Sequence, residues 1–177
     1  MRCKTRHSND ASSSGTRNLD PPQHQNNLYE GERLGRFIKS IEREIESARL
    51  SNTTLPHKFW LKQQFSIGVN EVTRALECMT QGSSSVQGHT KASSVQLQAI
   101  LLASDCNPRW LTKHLPSLAS SRKVPLIYVK DKKGGSLKLG ELVKLKTAIA
   151  IGARGNALNR IIEEILRGNE IPVGMEG

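Results

Sequence analysis

The chain has 177 residues and a formal net charge of +10 at pH 7, with a pI near 9.9. That length suits one domain with tails, and the excess of Lys and Arg favours a polyanionic partner, either nucleic acid or an acidic membrane surface. Apolar runs such as 99–103 and 148–151 fall far short of the ~20 residues of a spanning helix, so no membrane partner is expected, and aromatics at only 4% disfavour recognition by rows of stacking rings.

Residues 1–30 are rich in Ser, Asn, Gln, Thr and Arg, with Pro21-Pro22 and almost no bulky apolar side chains. Burial cannot offset the entropy of ordering them, so they read as a disordered basic tail. Met1-Arg2-Cys3-Lys4 has no apolar stretch behind its charges, unlike a secretory signal. Cys3, Cys78 and Cys106 are odd in number and widely spaced, which suits reduced thiols better than disulfides or zinc.

Across 31–50, Leu34, Phe37, Ile38, Ile41, Ile45 and Ala48 recur at helical spacing among charged residues, predicting an amphipathic helix that packs on the chain's own core or docks on a partner. Ser51–Pro56 is a connector. Phe59, Trp60 and Leu61, beside Lys58 and Lys62, form a hydrophobic anchor leading into the first strand, with Trp60 open to contact with another subunit.

Ile67-Gly68-Val69-Asn70-Glu71-Val72-Thr73-Arg74-Ala75-Leu76 reads as a strand end, a glycine turn and a helix start. Gly68 permits the turn, Asn70 is positioned to cap, and the helix is expected to begin near Glu71. Asn70, Glu71 and Arg74, offset by one and four residues, gather at one helix end while Val72, Ala75 and Leu76 turn inward. An amide, a carboxylate and a guanidinium together can grip the polar edges of purines. The same residues also fit a plain cap, a dipole complement and a solvated charge.

The Gly68–Arg74 run resembles the Gly-x-Asn-Glu-x-x-Lys/Arg signature of the kink-turn-binding ribosomal protein superfamily, whose archaeal member is called L-seven-Ae. The longer run from Ile67 to Glu77 is similar to the kink-turn-type protein subunit of eukaryotic ribonuclease P and ribonuclease MRP. More loosely, the resemblance extends from about Phe65 to about Ile165.

Residues 80–94, dominated by Gly, Ser, Gln and Thr, read as a flexible loop insertion that departs from the superfamily's shorter connection. Val95–Ala103 is a buried strand, and Ser104-Asp105-Cys106-Asn107-Pro108 its exit turn. In the superfamily the matching turn sets an acidic side chain beside the base flung out of the RNA bend. Asn107 stands there in this chain, an amide that keeps a hydrogen bond without the anionic acceptor. Trp110, Leu111, His114, Leu115 and Leu118 follow at helical spacing, with His114 packed or half-buried.

Val124–Val129 is a third strand, Lys130–Gly135 a basic turn, and 137–145 a short helix with Leu139, Leu142 and Val143 inward. Leu139-Gly140 through Thr147 resembles the superfamily's Leu-Gly-x-x-x-Gly-Leu/Val segment, with Lys144 in place of the second glycine. By that resemblance Leu145, Lys146 and Thr147 supply an apolar lid, a phosphate contact and a small polar wall; read from the residues alone, Leu145 is also a core candidate. Ala148–Ile151 is a last strand, followed by a turn capped by Asn156, a final helix through Ile165, and a tail at 168–177.

Strands and helices alternate from 57 to 167, predicting a single three-layer α/β/α sandwich with a mixed sheet. The superfamily has this architecture. The resemblance implies a non-catalytic RNA-binding subunit of ribonuclease P/MRP, acting in the nucleus and nucleolus on transfer-RNA or ribosomal-RNA precursors. Its partners would be a structured RNA with a kink-turn or similar bend and other protein subunits. Gly68, Asn70, Glu71, Arg74, Asn107, Leu145, Lys146 and Thr147 would form the RNA site. The alternatives are a ribosomal or small nucleolar kink-turn-binding protein, or a protein-interaction module on the same fold. No nucleophile-base pair, metal cluster or cofactor loop stands out, so neither an enzyme nor a cofactor is expected.

Overall fold

A computed structural model of the protein describes residues 27–79 and 96–167. The 80–94 insertion, the tail at 168–177 and most of the expected N-terminal tail lie outside the described residues. The elements run β1 (Leu28–Glu30), α1 (Gly31–Leu50), α2 (His57–Gln64), β2 (Phe65–Ile67), α3 (Val69–Cys78), β3 (Ala99–Ala103), α4 (Leu115–Ser121), β4 (Leu126–Lys130), α5 (Gly135–Leu142), β5 (Ala150–Ala153) and α6 (Asn159–Leu166). Short 3₁₀ turns at Arg109–Leu111 and Asn156–Leu158 precede α4 and α6.

The five strands form one mixed sheet in the order β1-β4-β3-β5-β2. β1, β4 and β3 pair in parallel, whereas β5 runs antiparallel to both β3 and β2. Period-two alternation along β3 separates the two faces. Ala99, Leu101 and Ala103 join a core with residues of α1, α2, α5 and α6, while Ile100 and Leu102 join a second core with α3 and α4. This is the expected three-layer α/β/α sandwich.

Helix α1 turns Leu34, Phe37, Ile38, Ile41 and Ile45 onto the sheet; each such side chain, fully buried, contributes about 1.5–3 kcal/mol. Phe37 stacks on Tyr29 at 4.3 Å between ring centroids, and the Arg33 guanidinium lies 4.4 Å from the same Tyr29 ring. The helix therefore packs on the chain's own core. Trp60 is likewise buried, 1% exposed, so it is a core residue and not a subunit contact, and the anchor around it is the helix α2.

Several boundaries differ from the sequence reading. Residues 28–30, inside the expected tail, form an edge strand because β4 offers Tyr128–Lys130 for pairing. The last strand runs two residues later than expected, since Gly152 and Ala153 pair with Ser66 and Phe65. The run of apolar residues at 110–118 is broken: Pro116, near the start of α4, has no amide to continue a helix begun at 110. Trp110 consequently sits in the 3₁₀ turn, 70% exposed. His114 is exposed too, with its Nε2 2.8 Å from Thr73 Oγ1.

Candidate nucleic-acid interface

Three segments are stitched together where β5 enters the sheet. The amide of Gly68, just past β2, donates to the Ala150 carbonyl at 2.8 Å, and the Ala103 amide, at the end of β3, donates to the Ile149 carbonyl at 2.8 Å. Since β2 and β3 both run opposite to β5, their exits and the approach to β5 share one end of the sheet, the C-terminal edge of β2 and β3. The start of α3, the 104–108 turn and the 143–149 loop therefore meet there.

Gly68 makes the first of these turns possible. It holds φ +98 and ψ 157 as the residue capping α3, a conformation open essentially to glycine alone. The helix begins at Val69, and no side chain caps it. Asn70 is thus the second residue of α3 and not its cap, which leaves its exposed amide uncommitted to the helix end. Glu71 and Arg74 are also exposed, with Arg74 Nη1 4.0 Å from Glu71 Oε1. Val72, Ala75 and Leu76 are buried beneath them, as expected.

The opposing loop is shaped by the end of α5. The amides of Lys144 and Leu145 donate to the carbonyls of Glu141 and Gly140 at 3.2 and 2.9 Å, the paired bonds of a Schellman stop. Lys144 occupies the left-handed position of that stop, at φ +56, where glycine is the usual residue. The chain thus follows a glycine-type path without the glycine. Leu145 emerges half exposed at 50%, so it is not core, and Lys146 and Thr147 are exposed.

A groove of about 660 Å³ separates helix and loop, within the ~300–1,000 Å³ range of ligand-sized sites. Glu71 lines it together with Val143, Lys144 and Leu145. Leu61, Phe65 and Ile67 add apolar wall, and Lys58, Lys62 and Arg154 add positive charge. Arg154 Nε is buried with no hydrogen-bond partner among the described residues. Such a donor favours an anionic acceptor.

The structure therefore brings Glu71 and Leu145 to one groove, with Gly68 and Asn70 lying in the chain between its lining residues Ile67 and Glu71 and Arg74 about one turn further along α3. Thr147 is held by its backbone against Gly140. Asn107 stands exposed on the turn leaving β3, at the same edge, and no hydrogen bond joins it to the groove. Its neighbour Asp105 is committed elsewhere: the Ser136 amide and hydroxyl donate to its carboxylate at 3.1 and 3.3 Å, closing the start of α5. Within α5, a hydrogen bond and the charge of Glu141 raise the Lys138 pKa above the usual lysine value.

Sequence reasoning missed Lys58, Lys62 and Arg154 as groove residues. The spacing of four between the two lysines carried a signal, because it puts both on one helical face. Arg154 carried none; it reaches the groove only through the pairing of Ala153 with Phe65. Among the described residues no three of His, Cys, Asp and Glu gather as a metal site, and no helix is long and apolar enough to cross a membrane.

Comparison with known proteins bears on this arrangement. The model of the ribosomal protein L7Ae/L30e/S12e/Gadd45 family matches residues 61–159. A Mus musculus protein named ribonuclease P protein subunit p38 is 32% identical over 96 residues, covering 54% of this chain and 28% of that protein. The large ribosomal subunit protein eL8 of Picrophilus torridus is 29% identical over 99 residues, covering 55% of this chain and 65% of that protein. The match spans less than two thirds of either relative. In fold, the chain is similar to the Giardia lamblia 15.5kD RNA binding protein, with a TM-score of 0.53 over 84% of this chain and 95% of that one at 14% identity.

Proposed function

Because the chain belongs to the ribosomal protein L7Ae/L30e/S12e/Gadd45 family, we propose that it is a non-catalytic RNA-binding protein that recognises a kink-turn or a similarly bent motif. The observation that carries this reading is the groove shared by Glu71 and Leu145. It sets the start of α3, through Glu71, opposite the solvent-exposed Leu145, which supports a helix end that reads purines facing an apolar lid. Asn70, Glu71 and Arg74 read the paired purines of the bend, Leu145 to Thr147 hold an extruded base with Asn107 at its edge, and Lys58, Lys62 and Arg154 take phosphate.

The mechanism is a shift of population. A bent internal loop is one of several RNA conformations, and a protein that contacts only that conformation makes it dominant. No bond is made or broken by the protein. Within a ribonucleoprotein, such a grip supports RNA folding, and any cleavage belongs to the RNA.

We assign the RNA component of ribonuclease P or MRP as the first target, with other protein subunits as neighbours and the nucleus, including the nucleolus, as the setting. The similarity to the mouse p38 subunit supports this reading. A ribosomal or small nucleolar RNA is the second reading, favoured by the similarity to eL8, which covers more of that relative's length. RNA crosslinked to the chain in cells and sequenced decides between them. Enrichment of ribonuclease P or MRP RNA is expected; enrichment of ribosomal or small nucleolar RNA supports the second reading, and recovery of protein partners without RNA contradicts both.

A further inference from the structure

Trp110 is left unused by the site above. It is 70% exposed, although indole is among the most costly side chains to leave in water. It sits in a fixed place. The 3₁₀ turn is held by the amide of Leu111 donating to the Pro108 carbonyl at 3.3 Å and that of Lys113 to the Trp110 carbonyl at 3.4 Å. The bond between His114 and Thr73 then ties the segment to the second turn of α3, one residue from Arg74. Arg109 and Lys113 flank Trp110 in the chain, one and three residues away, both exposed and with no ion pair among the described residues. The segment leaves β3 at the edge where the candidate interface lies.

We propose that Trp110 is a base-stacking platform: it takes an unpaired nucleobase of the RNA lying outside the bend, while Arg109 and Lys113 neutralise the adjoining phosphates. This rests on the RNA-binding reading above and extends its surface beyond the groove. An indole stacks on any base because every base has a π face, so the contact adds affinity without sequence preference. The two flanking cations favour RNA over an apolar protein surface, where desolvating unpaired charge is costly.

The two tryptophans make the test direct. Trp60 is 1% exposed and shielded from acrylamide, so the acrylamide-accessible emission of the full chain reports Trp110. The probes are a kink-turn RNA with single-stranded extensions on both stems, the same RNA blunt-ended, and, to read discrimination, the blunt RNA with its G·A pairs replaced by Watson-Crick pairs. The extended RNA is expected to quench and shield Trp110 and to bind roughly fivefold to a hundredfold tighter than the blunt one. Trp110→Ala loses that difference and Trp110→Phe retains most of it, with kink-turn discrimination intact in both. Equal binding of the two RNAs by wild type and Trp110→Ala, with discrimination of the kink-turn preserved, overturns the platform and leaves the RNA-binding reading standing. Shielding of Trp110 by a protein partner and not by RNA overturns it as well. Loss of discrimination in wild type instead removes the RNA-binding reading itself.

Discussion

The backbone of Thr147 crosses Gly140 so closely that a Cβ built on that glycine would lie 2.7 Å from both the Cα and the amide nitrogen of Thr147. The crossing holds the 143–149 loop against α5 and aims Leu145 at the groove. Gly140→Ala forces the loop outward, and overpacking of this kind costs about 1–3 kcal/mol. A lower urea midpoint with unchanged slope, together with weaker RNA binding, is the expected result. An unchanged midpoint contradicts this account of the loop.

Lys144 makes the opposite prediction. It holds φ +56 at the end of α5, where a side chain strains the backbone and glycine does not. Lys144→Gly is expected to stabilise the fold by up to about 1 kcal/mol, part of the relief being offset by glycine's entropy in the unfolded chain. Chemical denaturation measures this, and a net loss of stability counts against strain at this position.

Arg74 and Glu71 form an exposed pair at 4.0 Å, and such pairs add at most about 0–1 kcal/mol to stability. Arg74→Ala is therefore expected to leave the thermal midpoint almost unchanged while weakening kink-turn binding by about 1–3 kcal/mol, the range for a bidentate guanine contact. Calorimetric titration beside a melting curve separates the two effects. Unchanged affinity removes Arg74 from the interface.

Asp105 behaves as a structural residue. Its carboxylate accepts from the amide and hydroxyl of Ser136 at the start of α5, and loss of a cap of this kind costs about 0.5–2 kcal/mol. Asp105→Ala is expected to lower stability by that amount, and Asp105→Asn, which keeps one acceptor, by less. A variant with normal stability and impaired RNA binding assigns Asp105 to the interface instead.

The layered architecture was legible because Leu34 to Ile45, Val72 to Leu76 and Ala99 to Ala103 carry their burial in their spacing. The helix end bearing Asn70, Glu71 and Arg74 was legible in the same way. What local pattern could not supply was pairing. β1 exists because residues 28–30 meet β4, and Gly152, which reads as a turn residue, lies within β5 because it pairs with Ser66 and Ile100, with Leu97 packed where a side chain would be, 2.9 Å from a built Cβ. The capping role assigned to Asn70 failed because Gly68 takes that position in a conformation that helix preferences do not anticipate. The groove cations split along the same line, Lys58 and Lys62 by helical spacing and Arg154 by strand register.

The claim on which the functional account depends is that the edge formed by Gly68, Asn70, Glu71, Arg74 and Leu145 reads a bent RNA. The most direct measurement is a titration of the wild-type chain, at fixed salt, with a kink-turn RNA and with the same RNA whose G·A pairs are replaced by Watson-Crick pairs. Tighter binding to the kink-turn by at least about tenfold, or 1.4 kcal/mol, is the predicted result. Equal affinity for the two RNAs would contradict it.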